Sequence, residues 1–260
     1  MKKIKDNSIR QLRKRIKRLN SLDLSKYNKD AVSGFINNSF KIPYHTWTQP
    51  CGYMIYRSQI NESDENPFDS IKRIRFNPNP ESIERANLKG KGTGYASDSL
   101  KVAAIENCQY ELKTSSRKSF HLTVGVWIPQ RELNVMIIYD SKKGRRSGTD
   151  LHDAYLGVKR KLIREEYSRK DIRSWTLRNN FFANQFAKEF KVDENEYLFS
   201  ALLSNTIFKC QDPVIDAIWY PKFSKDPIKK MSRIANNGWD HLINENNQLP
   251  FKYLQALLDK

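Results

Sequence analysis

Between residues 119 and 140 the chain follows a period that extended backbone satisfies and a helix does not. In SFHLTVGVW (119–127), Phe120, Leu122, Val124 and Val126 alternate with His121, Thr123 and Gly125, the pattern of a strand with one apolar face. LNVMIIYD (133–140) reads as a second strand, and with only IPQRE between the two the expected pairing is a hairpin with Pro129 at its tip. GYMIYRSQ (52–59) is an earlier short strand ending in Tyr56-Arg57, and VIDAIWYP (214–221) a later one. Helical spacing dominates from about 151 to 190 and again in YLFSALLSNTIF (197–208). No internal repeat or low-complexity tract interrupts this mixture, so the expectation is one α+β domain with helical extensions at both ends.

The N-terminal extension is the more distinctive of the two. Ile9, Leu12, Ile16 and Leu19 stand at helical spacing, and Arg10, Arg13, Lys14, Arg15, Lys17 and Arg18 fill the positions between. Two readings stand side by side: a helix docked on the body with a solvated charged face, or an arm that binds nucleic acid or an acidic partner. Residues 21–50 read as irregular, with the aromatic stretch FKIPYHTWTQP bounded by Pro43 and Pro50, and a polar helical tail is expected to close the chain. The boundaries expected are a basic helical extension over 1–50, a central domain over 51–224 and a helical C-terminal extension over 225–260.

With 46 Lys+Arg against 29 Asp+Glu, the formal net charge is +17, a potential that attracts polyanions: nucleic acid, phosphorylated small molecules or an acidic protein. Cys51, Cys108 and Cys210 are far apart and lack CxxC spacing, so neither a disulfide framework nor a zinc cluster is expected, and a reducing cytoplasm fits best. No run approaches the ~18 apolar residues of a membrane span, and no apolar core follows the basic N-terminus as it would in an export signal.

The stretch GKGTGYASDSLKVAAIEN (90–107) carries the densest chemistry. Its glycines invite a phosphate-loop reading, but the Walker and dinucleotide-binding spacings are both absent, and a turn is the better expectation. Ser97 or Ser99 can cap a helix whose buried side is marked by Leu100, Ala103 and Ala104. Glu106 then falls at the edge of that apolar face, where a carboxylate is costly unless paired or hydrogen-bonded. Arg57 at a strand end, Arg73 and Arg75 before Asn77-Pro78, and Arg85 supply guanidinium forks suited to a pyrophosphate. The four histidines are too dispersed for a metal site of the H-E-x-x-H type. His121 reads as structural, and His45, in PYHTW, stays open for a role.

Taken together, YR (56–57), RIRFNPNP (73–80), GYASDSLKVAAIE (94–106) and YLFSALLSNTIFKCQDPVIDAIWYP (197–221) resemble the RES-domain family, over roughly residues 52–224. The family glutamate stands eleven positions after a tyrosine, as Glu106 does after Tyr95; Arg75-Phe76-Asn77-Pro78 matches its Arg-aromatic-Asn-Pro block, and Arg57 its leading arginine. Where the family offers serine after a Tyr-Pro pair, this chain has Lys222, with Ser224 two residues later; either the register shifts locally and Ser224 takes the role, or the role is lost. The resemblance implies an ADP-ribosyltransferase-like fold, a mixed β-sheet core with flanking helices and an NAD-binding cleft. It also implies a toxin of a toxin–antitoxin pair, with NAD as substrate, no metal, phosphate or water as acceptor, and a helix-turn-helix antitoxin as partner. Relatives often dimerise.

On that resemblance Glu106 and Arg57 are the catalytic residues, and Arg57, Tyr56, Arg75, Asn77, Tyr95 and Ser224 bind NAD. A fixed carboxylate stabilises the oxocarbenium-like ribose that forms as nicotinamide leaves. Protein ADP-ribosylation at the same site is one alternative. A basic protein that binds nucleic acid or cleaves RNA, driven by the N-terminal helix and the loop 142–146, is another.

Overall fold

The computed structural model describes residues 8–26, 28–39, 45–61, 79–104, 108, 121–142, 150–188, 195–209, 212–220, 240–246 and 251–259. The elements in chain order are α1 (Ile9–Asn20), a 3₁₀ turn (Leu24–Lys26), α2 (Lys29–Ser39), β1 (Thr46–Gln49), β2 (Ile55–Ile60), β3 (Leu122–Pro129), β4 (Leu133–Ile137), α3 (Asp150–Arg164), α4 (Arg169–Phe186), α5 (Asn195–Phe208), β5 (Ala217–Trp219), β6 (Asp240–Asn246) and β7 (Phe251–Asp259). This is a mixed α+β structure, as the two periodicities require. It divides into two compact units, one drawn from Met1–Thr48, Pro78–Gly92 and Leu133–Phe223, the other from Gln49–Asn77, Thr93–Glu132 and Ser224–Lys260.

The first unit is built round β4, which lies between β1 and β5 in a three-stranded sheet. Residues 135–140 are all buried, and β4 runs parallel to β5 with Val135 opposite Ala217 and Ile137 opposite Trp219. A continuous apolar run is what a parallel strand covered on both faces needs. Val135, Ile137 and Tyr139 pack with Leu151, Ala154, Tyr155, Val158 and Leu162 of α3 and Trp175 of α4. The α3 positions recur at helical spacing, and the Tyr155 ring stacks on Trp175 with centroids 5.1 Å apart. The helix α5 is buried at Tyr197, at every position from Leu198 to Ser204 and at Ile207, against α2, α4 and the 3₁₀ turn. A helix apolar almost all round has to sit inside.

Beyond the end of β4, Asn179 of α4 takes over the work of a neighbouring strand. Its side-chain oxygen accepts from the Tyr139 N–H, and its Nδ2 donates to the Ile137 carbonyl at 3.0 Å. A carboxamide offers one acceptor and two donors, so it can satisfy a buried peptide edge as a backbone would.

Close contact of another kind fixes β1. Gly157 of α3 lies under the Trp47 ring so tightly that a Cβ there would stand 2.5 Å from Cζ3. Gly157→Ala is therefore expected to lower stability by about 1 kcal/mol through overpacking. On an uncrowded helix face the same change would raise it by about as much. Equilibrium urea unfolding decides between the two signs.

The second unit is an antiparallel sheet in the order β2-β3-β7-β6. The elements depart from the sequence expectation in three places. β3 and β4 do not form a hairpin; they belong to different sheets, β3 between β2 and β7, and β4 between β1 and β5. The C-terminal extension is not helical where described: residues 251–259 form β7, pairing with β3 from Leu122↔Leu258 to Pro129↔Phe251. An eight-residue strand with β2 on one side leaves a full row of backbone groups on the other, and that row outweighs the helical propensity of the tail. Residues 21–50 are not irregular throughout, since α2 is capped by Asn28, whose side chain accepts from the Ala31 N–H at 2.7 Å, and buries Val32 and Ile36. The segment Thr46–Gln49 adds β1.

At the N-terminus the expected amphipathic helix is present. Ser8 and Gln11 make a reciprocal capping box, Leu12 and Leu19 are buried, and the helix packs on α4, where Gln185 donates to the Asn20 side chain at 3.2 Å. Among the described residues no helix is long and apolar enough to cross a membrane.

Candidate functional site

The expected site residues that the structure describes gather on one edge of β2. Tyr56 and Ser97 exchange both backbone hydrogen bonds, at 2.7 and 2.8 Å, so residue 97 acts as a one-residue strand beside β2. The Arg57 guanidinium donates to the Tyr95 carbonyl at 3.0 Å. Ser58, 2% exposed, donates from its hydroxyl to the Ala103 carbonyl at 2.7 Å. Consecutive residues of β2 thus hold Tyr95, Ser97 and the first turn of the helix that starts at residue 100. Opposite Arg57 on β3 stands Gly125, which has no side chain to compete for space beside the guanidinium.

The helix itself is set as its sequence predicts. Ser99 caps it, accepting from the Val102 N–H at 3.4 Å, and the Ser97 hydroxyl accepts from the Ser99 N–H at 3.2 Å. Ala103 and Ala104 are buried, Leu100 is half-buried, and Cys108 further along is buried. Helical backbone is described through residue 104. Glu106, Arg73, Arg75, Asn77 and Ser224 lie outside the described residues, as does most of the basic loop 142–146.

The glycine-rich run is a turn. Gly90 has φ +72, open to glycine without strain, and its N–H donates to the Pro80 carbonyl while the Lys91 N–H donates to Leu88. With both amides bonded within the chain, they do not form the cradle that a phosphate loop needs.

Arg85, and two residues of the segment 197–221, have structural work inside the first unit. Arg85 donates to the Lys188 carbonyl at 3.0 Å, and its guanidinium carbon lies 5.6 Å from the centre of the Tyr197 ring. Asp216 ties β5 to β4: its carboxylate accepts from the Asn134 N–H at 2.8 Å, and its own N–H donates to the Asn134 carbonyl. Tyr220 packs against Phe186 with ring centroids 4.9 Å apart. In the second unit His121 is exposed, and its carbonyl accepts from the Asn61 N–H.

His45 lies edge-on to the Tyr167 ring, with centroids 5.2 Å apart. Burial lowers its pKa below the usual 6.5; Glu165 pulls the other way, and Lys161 adds to the lowering. The unfolded chain therefore takes up the His45 proton first, and the stability this residue contributes is lost as pH falls below about 6.5 towards the folded value. His45→Phe is expected to flatten the decline in melting temperature between about pH 7 and pH 5. Parallel curves for the two proteins would contradict this.

Sequence reasoning missed Ser58, which anchors the helix, and named Ser97 as a cap without its backbone pairing to Tyr56. The available signal was a small hydroxyl inside an otherwise apolar strand, facing a helix start with its own Ser-x-Ser pair. Among the described residues no cluster of three or more His, Cys, Asp or Glu side chains could hold a metal ion. Comparison with protein-family models, with curated proteins and with solved structures finds no match to this chain.

Proposed function

We propose that the chain is an NAD-cleaving enzyme of the RES type, with an ADP-ribosyltransferase-like fold, and that it depletes NAD until a helix-turn-helix antitoxin neutralises it. One observation carries the reading: Tyr56, Arg57 and Ser58 bind Ser97, Tyr95 and Ala103 in turn. Segments about forty residues apart are thereby joined into one frame. These are two of the four segments on which the resemblance rests. A carboxylate mounted on the helix that Ser58 anchors would share that frame with Arg57 and Tyr95.

The chemistry asks for such a frame. The bond between ribose C1′ and the nicotinamide nitrogen breaks, and its electron pair leaves with the ring, which becomes neutral. Positive charge develops on the ribose, and the Glu106 carboxylate stabilises it more than it stabilises the ground state. An oxygen of phosphate, or of water that then gives up a proton, bonds to C1′. Arg57 and Arg75 hold the pyrophosphate, with Asn77 and Ser224 completing the NAD contacts. Tyr95 and Tyr56 flank the nicotinamide.

The test is incubation of purified protein with NAD, with and without phosphate, followed by mass spectrometry. Nicotinamide release with ADP-ribose or its phosphate ester is expected. Absence of release under both conditions overturns the reading, and label transferred to protein redirects it to ADP-ribosylation.

A further inference from the structure

We propose that the exposed face of α1 is a docking surface for the phosphate backbone of a polynucleotide, engaged without regard to base sequence. Six of its twelve residues are Arg or Lys and none is acidic. Docking on α4 through Leu12 and Leu19 sorts these cations by burial: Arg10, Arg13, Lys14, Lys17 and Arg18 are exposed, and Arg15 is half-buried on the flank. At 3.6 residues per turn those five occupy a continuous arc of about 140°, opposite the apolar stripe, over about 12 Å of helix.

The arrangement works against the helix on its own. Arg10 and Lys14, Arg13 and Lys17, and Lys14 and Arg18 are like charges four residues apart, where repulsion is destabilising. Among the described residues none of the five has an ion-pair partner, and Asp23, just past the helix, pairs with Lys26 at 3.4 Å. A bound polyanion would remove that repulsion.

Composition of the arc favours nucleic acid over an acidic protein. Specific protein interfaces centre on apolar or aromatic anchors, and the arc has none; the large apolar side chains exposed among the described residues, Met54, Ile163 and Val214, all lie on other elements. Three of the five cations are arginines, whose forks match phosphate oxygens. The two carboxamides of α1 are both engaged within the chain, Gln11 in the capping box with Ser8 and Asn20 as acceptor from Gln185, rather than placed to read base edges. A helix of this width also fits a major groove about 12 Å across, or lies along a single strand.

Fluorescence anisotropy of the full chain with a labelled mixed-sequence DNA duplex, and with a single-stranded RNA, tests the proposal over a series of salt concentrations. The Arg13→Gln/Lys17→Gln variant is expected to bind about tenfold or more weakly at 0.1 M salt and to lose about 1.8 from the log–log salt slope on duplex. Arg10→Gln/Arg18→Gln should behave alike, and both relieve repulsion rather than remove packing, so folding, checked by circular dichroism, is retained. Lys161→Gln/Arg164→Gln on α3 changes net charge equally at exposed positions and is expected to lose far less. Equal losses in that control would make the attraction a property of net charge alone and overturn the proposal. So would tighter binding of polyglutamate than of nucleic acid through the same residues, or no nucleic-acid binding at about 0.05 M salt.

Discussion

On the proposed NAD-cleaving reading, replacing Glu106 with glutamine is expected to slow nicotinamide release by about 10²- to 10³-fold while leaving KM within a few-fold. Gln keeps the size of the side chain and its hydrogen-bonding capacity towards ribose hydroxyls, so ground-state binding persists. What disappears is the charge. A full negative charge about 4 Å from a developing cation is worth about 4 kcal/mol at an effective dielectric constant of about 20, or roughly a thousandfold in rate. A pattern in which KM rises and kcat is unchanged would make Glu106 a binding residue. Equal kcat and KM would remove it from the reaction altogether. Arg57→Lys offers a contrasting result, because a lysine retains charge and loses the fork; its effect should fall on KM as well as kcat.

Asn179→Ala is expected to cost about 3 kcal/mol of stability in the first unit. It would leave the Tyr139 N–H and the Ile137 carbonyl without the side chain that serves them in a buried setting. The shape of the deleted group matters less than the two backbone groups it abandons. A shift of about 6 to 12 °C in melting temperature follows for a unit of this size. Three of the five tryptophans, Trp47, Trp175 and Trp219, belong to this unit, so its transition can be followed by fluorescence. With two units in the chain, the transition has to be assigned before an energy is extracted from it. A loss below about 1 kcal/mol would mean that water or neighbouring groups replace the amide without difficulty.

Elements whose stability is local, or whose apolar pattern is unambiguous, were legible in the sequence. α1, α3 and α4 show helical periods over three or more turns, α5 is a long apolar run, and β2, β3, β4 and β5 were each anticipated within a few residues. Pairing was not legible. The run 251–259 reads as helix when considered alone, and pairing with β3, more than 120 residues earlier, and with β6 makes a strand of it. The short α2 was missed for a different reason: its signal is a single Asn28 cap with two buried residues, too little to stand out in a polar stretch.

The candidate site divides along the same line. Arg57 could be singled out at a strand end, Tyr56 and Tyr95 through the family resemblance, and the cap could be narrowed to Ser97 or Ser99. That Arg57 bonds the Tyr95 carbonyl, and that Ser58 anchors the helix at Ala103, depend on tertiary contact between segments with no shared periodicity. His45 shows the reverse. Its residue type suggested chemistry, and its burial beside Tyr167 explains it as a packed side chain.

The late position of β7 also sets a clock for synthesis. β3 emerges from the ribosome about 130 residues ahead of the strand that covers its second edge, a delay of roughly 10 s at ordinary elongation rates. For that interval LTVGVWIP, uncharged and rich in β-forming residues, travels with one edge bare. A newly made chain is thus most vulnerable to aberrant strand pairing before residues 251–259 arrive, and a stop codon upstream of 251 would make that vulnerability permanent.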